Sequence, residues 1–385
     1  MIIKSSRGYL KLMNRERCQY WASAHYVWRT DPADVLGEGA FGDVYRGFHK
    51  ETCQYVAIKT FKKLNLRKSS ETQLREIQIL ERLNHLNVVK LIAIEDILSI
   101  ARDENQSDDS FLKGKALIME YCTEGNLYSI IEQPENQFGL DEAEMLRVLD
   151  HTTSGMKYLR ENKIIHRDWK PSNILKTITE DGNVLYKLCD FGAARELDDN
   201  QAFVSIVGTE EYILSCSDKF GIHMTISHFL TSEAPDIYGR ALLGHGSSSQ
   251  SFSATSELWS YAVTVYHVTT GQLPFRPFGG RTNRSTMYQI TSEKPSAAIS
   301  GVQDVENGPI KYSNSLPDHC RLSKQFNKFL TYLLANLFQV NRKEKAWSFD
   351  EFFRVVEEFL SKLRIHCSTP SSKFSCWIYI DKSAG

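Results

Sequence analysis

A chain of 385 residues, 42% hydrophobic and 24% charged, has the apolar content of a globular protein with a large core, which excludes a fibrous or wholly disordered chain. Its formal net charge of -1 supplies no general field for gathering nucleic acid or an anionic membrane, so any polyanion site must be local. The eight cysteines include no C-x-x-C pair and no Cys/His cluster at zinc spacing, and no apolar run nears the ~18 residues of a membrane span; reduced thiols in the cytoplasm are expected.

Residues 1–25 are basic (Lys4, Arg7, Lys11, Arg15 and Arg17 against Glu16) without an amphipathic period, and are expected to form a disordered extension. Ordered structure is expected from Tyr26. Leu36-Gly-Glu-Gly-Ala-Phe-Gly-Asp-Val44 is a G-x-G-x-x-G-x-V pattern with strand-like flanks, so it belongs in a β-hairpin and not at the strand-to-helix turn of a dinucleotide site. Glycines 37, 39 and 42 would let the backbone close over phosphates; a plain Gly-rich hairpin is the alternative.

The next strand, Tyr55 to Phe61, carries Lys59 among apolar residues, where a lysine needs an anionic partner. Glu76 is the best candidate. It lies in a helix expected over Glu71 to Leu83, with Leu74, Ile77, Leu80 and Leu83 marking its apolar face. Val88 to Glu95 is a further strand candidate, and Ile97 to Lys115 reads as a polar loop. Ala116 to Cys122 is expected to be a strand leading to Gly125, the junction between a small β-rich lobe and a larger helical one.

Asp141 to Arg160 has the period of a long helix starting near Asp141 or Glu142. It feeds Ile164-Ile-His-Arg-Asp-Trp-Lys-Pro-Ser-Asn-Ile-Leu175, which presents an acid (Asp168), a cation (Lys170) and an amide (Asn173) on one loop. A short strand from Asn183 to Leu188 then delivers Asp190-Phe-Gly192. One carboxylate to accept a hydroxyl proton, with an amide and a second carboxylate to hold Mg²⁺ against a triphosphate, suits phosphoryl transfer. The residues after Gly192 read as an exposed loop containing Ser205. Further on, Thr255 to His267 is apolar on most faces like a buried helix, and Gln325 to Leu337 and Phe349 to Leu363 read as helices.

These elements, in this order and spacing, resemble the protein-kinase set. Residues 26–360 resemble the eukaryotic protein kinase family, which implies an α+β bilobal fold with an N-lobe over 26–122 and a C-lobe over 123–360, use of ATP and Mg²⁺, and transfer of the γ-phosphate to a protein hydroxyl. The resemblance implies that Lys59, held by Glu76, positions the α and β phosphates, that Asp168 orients and deprotonates the hydroxyl, and that Lys170 stabilises the γ-phosphate. It assigns Asn173 and Asp190 to the metal, and Leu36, Gly37, Gly39, Gly42, Val44, Ala57, Lys59, Met119, Glu120, Cys122 and Leu175 to the nucleotide. Met119 would face the back of the pocket, with the Glu120 carbonyl and the Cys122 backbone meeting adenine. Lys170 and Thr209 resemble serine/threonine kinases.

Gly192-Ala-Ala-Arg-Glu-Leu197, Phe203 to Tyr212, Leu273-Pro-Phe-Arg-Pro-Phe278 and Glu306-Asn-Gly-Pro-Ile310 are similar to the IκB-kinase-related branch. That similarity implies Ser205 as an activating phosphoserine able to pair with Arg167, and protein substrates and adaptor proteins in innate-immune or autophagy signalling, without nucleic acid or membrane. Residues 361–385 resemble the first strands of the branch's ubiquitin-like domain; its dimer scaffold would be missing, and a monomer or weak dimer is expected.

Three departures stand out. Residues 214–233 are an insert before Ala234-Pro-Asp236, in the platform that should hold substrate; a kinase-shaped scaffold without turnover is therefore the alternative function, and an unstable truncated product a third. Glu257 stands where kinases place an aspartate that bonds the catalytic-loop backbone, with Ala262 in place of a glycine. Trp169 replaces a smaller apolar residue in the loop itself.

Overall fold

The computed structural model describes residues 20–39, 42–61, 68–99, 114–196, 254–280, 283–339 and 347–367. The chain forms two compact units. The first comprises residues up to His85 together with Val89–Cys122, and the second comprises Leu86–Val88 and residues from Thr123 onward.

The first unit is built on an eight-stranded sheet. Its strands are β1 (Tyr20–Ala22), β2 (Tyr26–Arg29), β3 (Val35–Glu38), β4 (Gly42–His49), β5 (Tyr55–Phe61), β6 (Leu91–Asp96), β7 (Leu98–Ser99) and β8 (Lys115–Glu120), with helix α1 (Lys68–Arg82) after β5. The path runs β6-β8-β5-β4-β2-β1-β7, with β3 paired to β4. Alternation in β5 and β8 sends Val56, Ile58, Ala116 and Ile118 into a core closed by Tyr26 and Trp28. Burial of Val56, Ile58 and Ile118 contributes about 1.5–3 kcal/mol each. Order begins earlier than residue 26: Trp21 pairs with Trp28, and Ala22 with Leu98, so residues 20–22 are a strand and part of the expected polar loop is its neighbour. Residues 100–113 of that loop lie outside the described residues.

The second unit holds α2 (Leu127–Ile131), α3 (Glu142–Glu161), β9 (Ile164–Ile165), β10 (Ile174–Ile178), β11 (Val184–Leu188), β12 (Arg195–Glu196), α4 (Ala254–Thr270), β13 (Phe275–Arg276), α5 (Arg284–Ser292), β14 (Ser300–Val302), β15 (Lys311–Ser313), α6 (Lys324–Leu337) and α7 (Phe349–Cys367). Asp141 caps α3 by accepting from the Glu144 amide at 2.9 Å, which fixes where the helix starts. From Glu257 to Thr270 every residue of α4 is buried, as its all-round apolar pattern demands. Trp259, Phe275 and Phe338 stack about it with ring centroids 5.0–5.6 Å apart. Helix α7 continues to Cys367, so residues 361–367 are helical and not the first strand of a second domain. Residues 368–385, which hold the rest of that expected segment, lie outside the described residues, as do the 214–233 insert and Ser205.

Candidate active site

Within the first unit, Gly37 on β3 pairs with Val44 on β4, Val44 with Lys59 on β5, and Lys59 with Leu117 on β8, so the Gly-rich hairpin and the strand lysine share one register row. Ala57 pairs with Met119 in the same way. Leu36 is exposed and Cys122 is buried, while the Glu120 carboxylate accepts from the Lys90 amide at 2.7 Å. The glycines differ in their reasons. A Cβ on Gly42 would sit 2.2 Å from the Thr60 carbonyl oxygen, so this glycine is required by the approach of β4 to β5, whereas a Cβ on Gly37 would meet nothing within 4 Å.

Lys59 Nζ lies 2.5 Å from Glu76 Oε1, with 6% and 2% of the two residues exposed. The lysine is therefore neutralised inside the unit, as expected. The helix face carrying Glu76 differs from expectation: Ile79, Leu80 and Leu83 are buried, and Leu74 points to solvent at 57% exposure. Putting Glu76 inward rotates the stripe by a residue, so Leu74 falls off it.

The loop carrying Asp168 belongs to the second unit. It leaves β9, which is pinned by antiparallel pairing of Ile165 with Arg195 and Ile164 with Glu196, and ends in a single 3-10 turn over Pro171–Asn173. Asp168 is 8% exposed. Its Oδ2 accepts from Asn173 Nδ2 at 2.8 Å and lies 2.8 Å from Lys170 Nζ. Its Oδ1 is buried with no hydrogen-bond partner among the described residues. Burial alone would lower the Lys170 ammonium, but the Asp168 charge and hydrogen bond, with the Asp190 charge, hold it above its ordinary value. The β10–β11 hairpin, on which Leu175 pairs with Lys187, returns the chain so that the Cys189 amide donates to the Asn173 carbonyl at 3.0 Å. His166 Nε2 lies 2.9 Å from the Cys189 carbonyl. Asp190 follows with φ of +60°, the left-handed region, which turns its side chain out of the strand; its Oδ1 accepts from the Gly192 amide at 3.4 Å.

Glu257 and Trp169, two of the departures, both bond within this loop. Glu257 Oε1 accepts from the His166 amide at 2.8 Å and the Arg167 amide at 3.3 Å, so the longer acid does reach. Trp169, 1% exposed, donates its indole N–H to the same oxygen at 2.9 Å, a partnership the sequence did not announce. Burial pushes the Glu257 carboxyl up, against the Trp169 bond, the His166 charge and the two amides.

The donors expected for a cation, the Asp190 carboxylate and the Asn173 amide oxygen, are all oxygen, a set that fits a hard divalent ion. The orphaned Asp168 Oδ1 is an acceptor with capacity to spare. The family model described as protein kinase domain matches residues 31–214. The mouse inhibitor of nuclear factor kappa-B kinase subunit epsilon is 44% identical over 346 residues, which is 90% of this chain and 43% of that protein. The chain carries a protein kinase domain of the IκB-kinase branch. The alpha subunits of zebrafish and chicken are 30% and 31% identical over 339 and 284 residues, covering 39% and 32% of those proteins. The kinase chain thus spans less than half the length of these relatives. Among the described residues no helix is long and apolar enough to cross a membrane.

Proposed function

We propose that the chain is a serine/threonine protein kinase using MgATP, and that the observation carrying this reading is the state of Asp168. One carboxylate oxygen is held by Asn173 and Lys170, and the other is buried and uncommitted. MgATP supplies the phosphoryl group and much of the charge neutralisation. Asp168 Oδ1 receives the proton of the substrate hydroxyl, at a position fixed through Oδ2. Lys170, kept cationic by Asp168 and Asp190, stabilises negative charge as it moves to the γ-phosphoryl oxygens. Asn173 and Asp190 hold Mg²⁺, and Lys59, oriented by Glu76, binds the α and β phosphates. Leu36, Gly37, Gly39, Gly42, Val44, Ala57, Met119, Glu120, Cys122 and Leu175 form the nucleotide set. Ser205 is the activating phosphosite, where about two added charges would draw Arg167. The kinase works in the cytoplasm on proteins of innate-immune or autophagy signalling; its kinship with the epsilon subunit supports this reading.

The test is transfer of labelled phosphate from MgATP to serine, threonine and tyrosine peptides and to Ser205 by the full chain, beside a chain lacking residues 214–233. Transfer to serine and threonine by the full chain is expected. Transfer only after the deletion would contradict the reading and favour a scaffold whose insert blocks turnover.

A further inference from the structure

The two unusual residues of the catalytic loop's support meet each other. Glu257 is one methylene longer than the aspartate kinases place there, so its carboxylate reaches further from α4 and has one more rotatable bond to fix. Trp169 brings an N–H donor where a smaller apolar residue would bring none. The indole nitrogen lies 2.9 Å from Glu257 Oε1, the same oxygen that accepts from the His166 and Arg167 amides. Three donors thus converge on one oxygen, two from the residues before Asp168 and one from the residue after it. The other oxygen, Oε2, is buried without a partner among the described residues, so the anchoring passes through Oε1 alone.

The indole is itself held. Its ring meets Tyr261 edge-on with centroids 5.1 Å apart and lies 5.6 Å from the His166 ring. Tyr261 is fixed in turn, its hydroxyl 3.0 Å from Thr152 and 3.3 Å from Thr153 on α3. The peptide so anchored carries strain: Arg167 sits at φ +67°, a left-handed conformation that a non-glycine residue keeps only when its surroundings enforce it. Packing and donors together select the rotamer of a buried carboxylate, and the two amides belong to the peptide being held, so they can shift with it. The indole donor comes from a ring that packing prevents from following.

We infer that Trp169 and Glu257 act as one positioning device: the indole N–H fixes the Glu257 carboxylate, the carboxylate fixes the 166–167 peptide, and that peptide sets the placement of the Asp168 side chain. Neither residue touches substrate. The inference rests on the phosphoryl-transfer reading for its kinetic consequence, and on the loop geometry alone for its structural one. The competing view is that Trp169 only fills space, with its N–H satisfied incidentally.

Trp169→Phe in the full chain separates the two, because it keeps a ring against Tyr261 and His166 but removes the donor. We expect kcat to fall about tenfold, the size of one charge-assisted hydrogen bond, at unchanged KM for ATP. Amide hydrogen exchange at 166 and 167 should rise by a similar factor. If Phe does not fold there, benzothienylalanine at 169 keeps the bicyclic shape with sulfur in place of N–H and should give the same result. The second arm shortens the acid. Trp169→Leu and Glu257→Asp should each lower kcat alone, and the double variant should retain more activity than the two single losses predict. Wild-type exchange and kcat in the donor-free variant, or strictly additive losses in the pair, would overturn the inference. If the parent chain transfers no phosphate, the proposed function fails, while the exchange measurement still decides whether the device exists.

Discussion

Lys294 offers the sharpest test of how burial is balanced in the second unit. It follows α5, is 7% exposed, and donates to the Pro295 carbonyl at 3.1 Å and, at the 3.5 Å limit, to the Ser296 carbonyl. No carboxylate pairs with it among the described residues, and burial pushes its ammonium down from 10.5 to about 8. That displacement corresponds to about 3 kcal/mol of destabilisation whenever the folded chain must carry the charge. Lys294→Met removes the penalty and loses the two carbonyl bonds, worth at most about 1 kcal/mol each, so a net gain of about 1–2 kcal/mol is expected at pH 7. The sign with pH follows from the depressed folded value. Between about 8 and 10.5 the unfolded chain keeps a proton that the folded chain has released, so wild-type stability rises through that window. The variant's advantage should therefore shrink steadily from pH 8 and vanish or reverse by pH 10.5. Urea unfolding of both proteins at pH 7, 8.5 and 10 measures it. An advantage that does not change with pH, or a variant less stable at pH 7, would refute the reasoning.

Two further outcomes follow from the geometry. Gly42→Ala should lower the stability of the first unit by about 1–3 kcal/mol without nucleotide present, because its Cβ collides with the Thr60 carbonyl; an unchanged melting temperature would mean that β4 and β5 separate freely. Glu144 on α3 is bonded by Lys176 and Tyr186 and lies 2.9 Å from Arg147. Burial would raise its carboxyl, but these partners outweigh it and hold the group below the ordinary range. Its stabilising contribution is thus present above the unfolded value of about 4.3 and lost as pH falls through the folded one, so wild type should exceed Glu144→Gln by about 1 kcal/mol near neutrality after solvent screening. The gap should narrow as pH falls below the unfolded value, and denaturation curves from pH 3.5 to 7 would show a constant gap if the pairing were irrelevant.

The geometry around Asp168 is legible in the sequence because its parts are close along the chain. Asp168, Lys170 and Asn173 share one loop, and a two-stranded hairpin suffices to bring Asp190 back to it. Lys59 was legible for a different reason: a lysine inside an apolar strand demands an anion, and Glu76 was the suitable acid on the next helix. What escaped the sequence depended on distant pairing. Strands β1 and β7 are three and two residues long and are joined across more than seventy positions, too short to show any period. Helical spacing predicts Leu74 to face inward on α1, but the buried Glu76 decides the rotation and leaves Leu74 exposed. The glycine pattern predicts clearance for phosphates, and at Gly42 the neighbouring strand is a further reason for a glycine. The bond between Trp169 and Glu257 spans 88 positions. The sequence holds only a partial signal for it: a buried indole usually finds an acceptor, yet Trp28 and Trp259 have none among the described residues.

The central claim is that Asp168 is the residue placed to take the substrate proton. The most direct measurement compares the full chain with Asp168→Asn, following phosphate transfer to a serine peptide and the thermal shift induced by MgATP. The account predicts a loss of at least about a hundredfold in transfer, with the nucleotide-induced shift retained, because the asparagine cannot accept the hydroxyl proton. Transfer by the asparagine variant at the wild-type rate would contradict it.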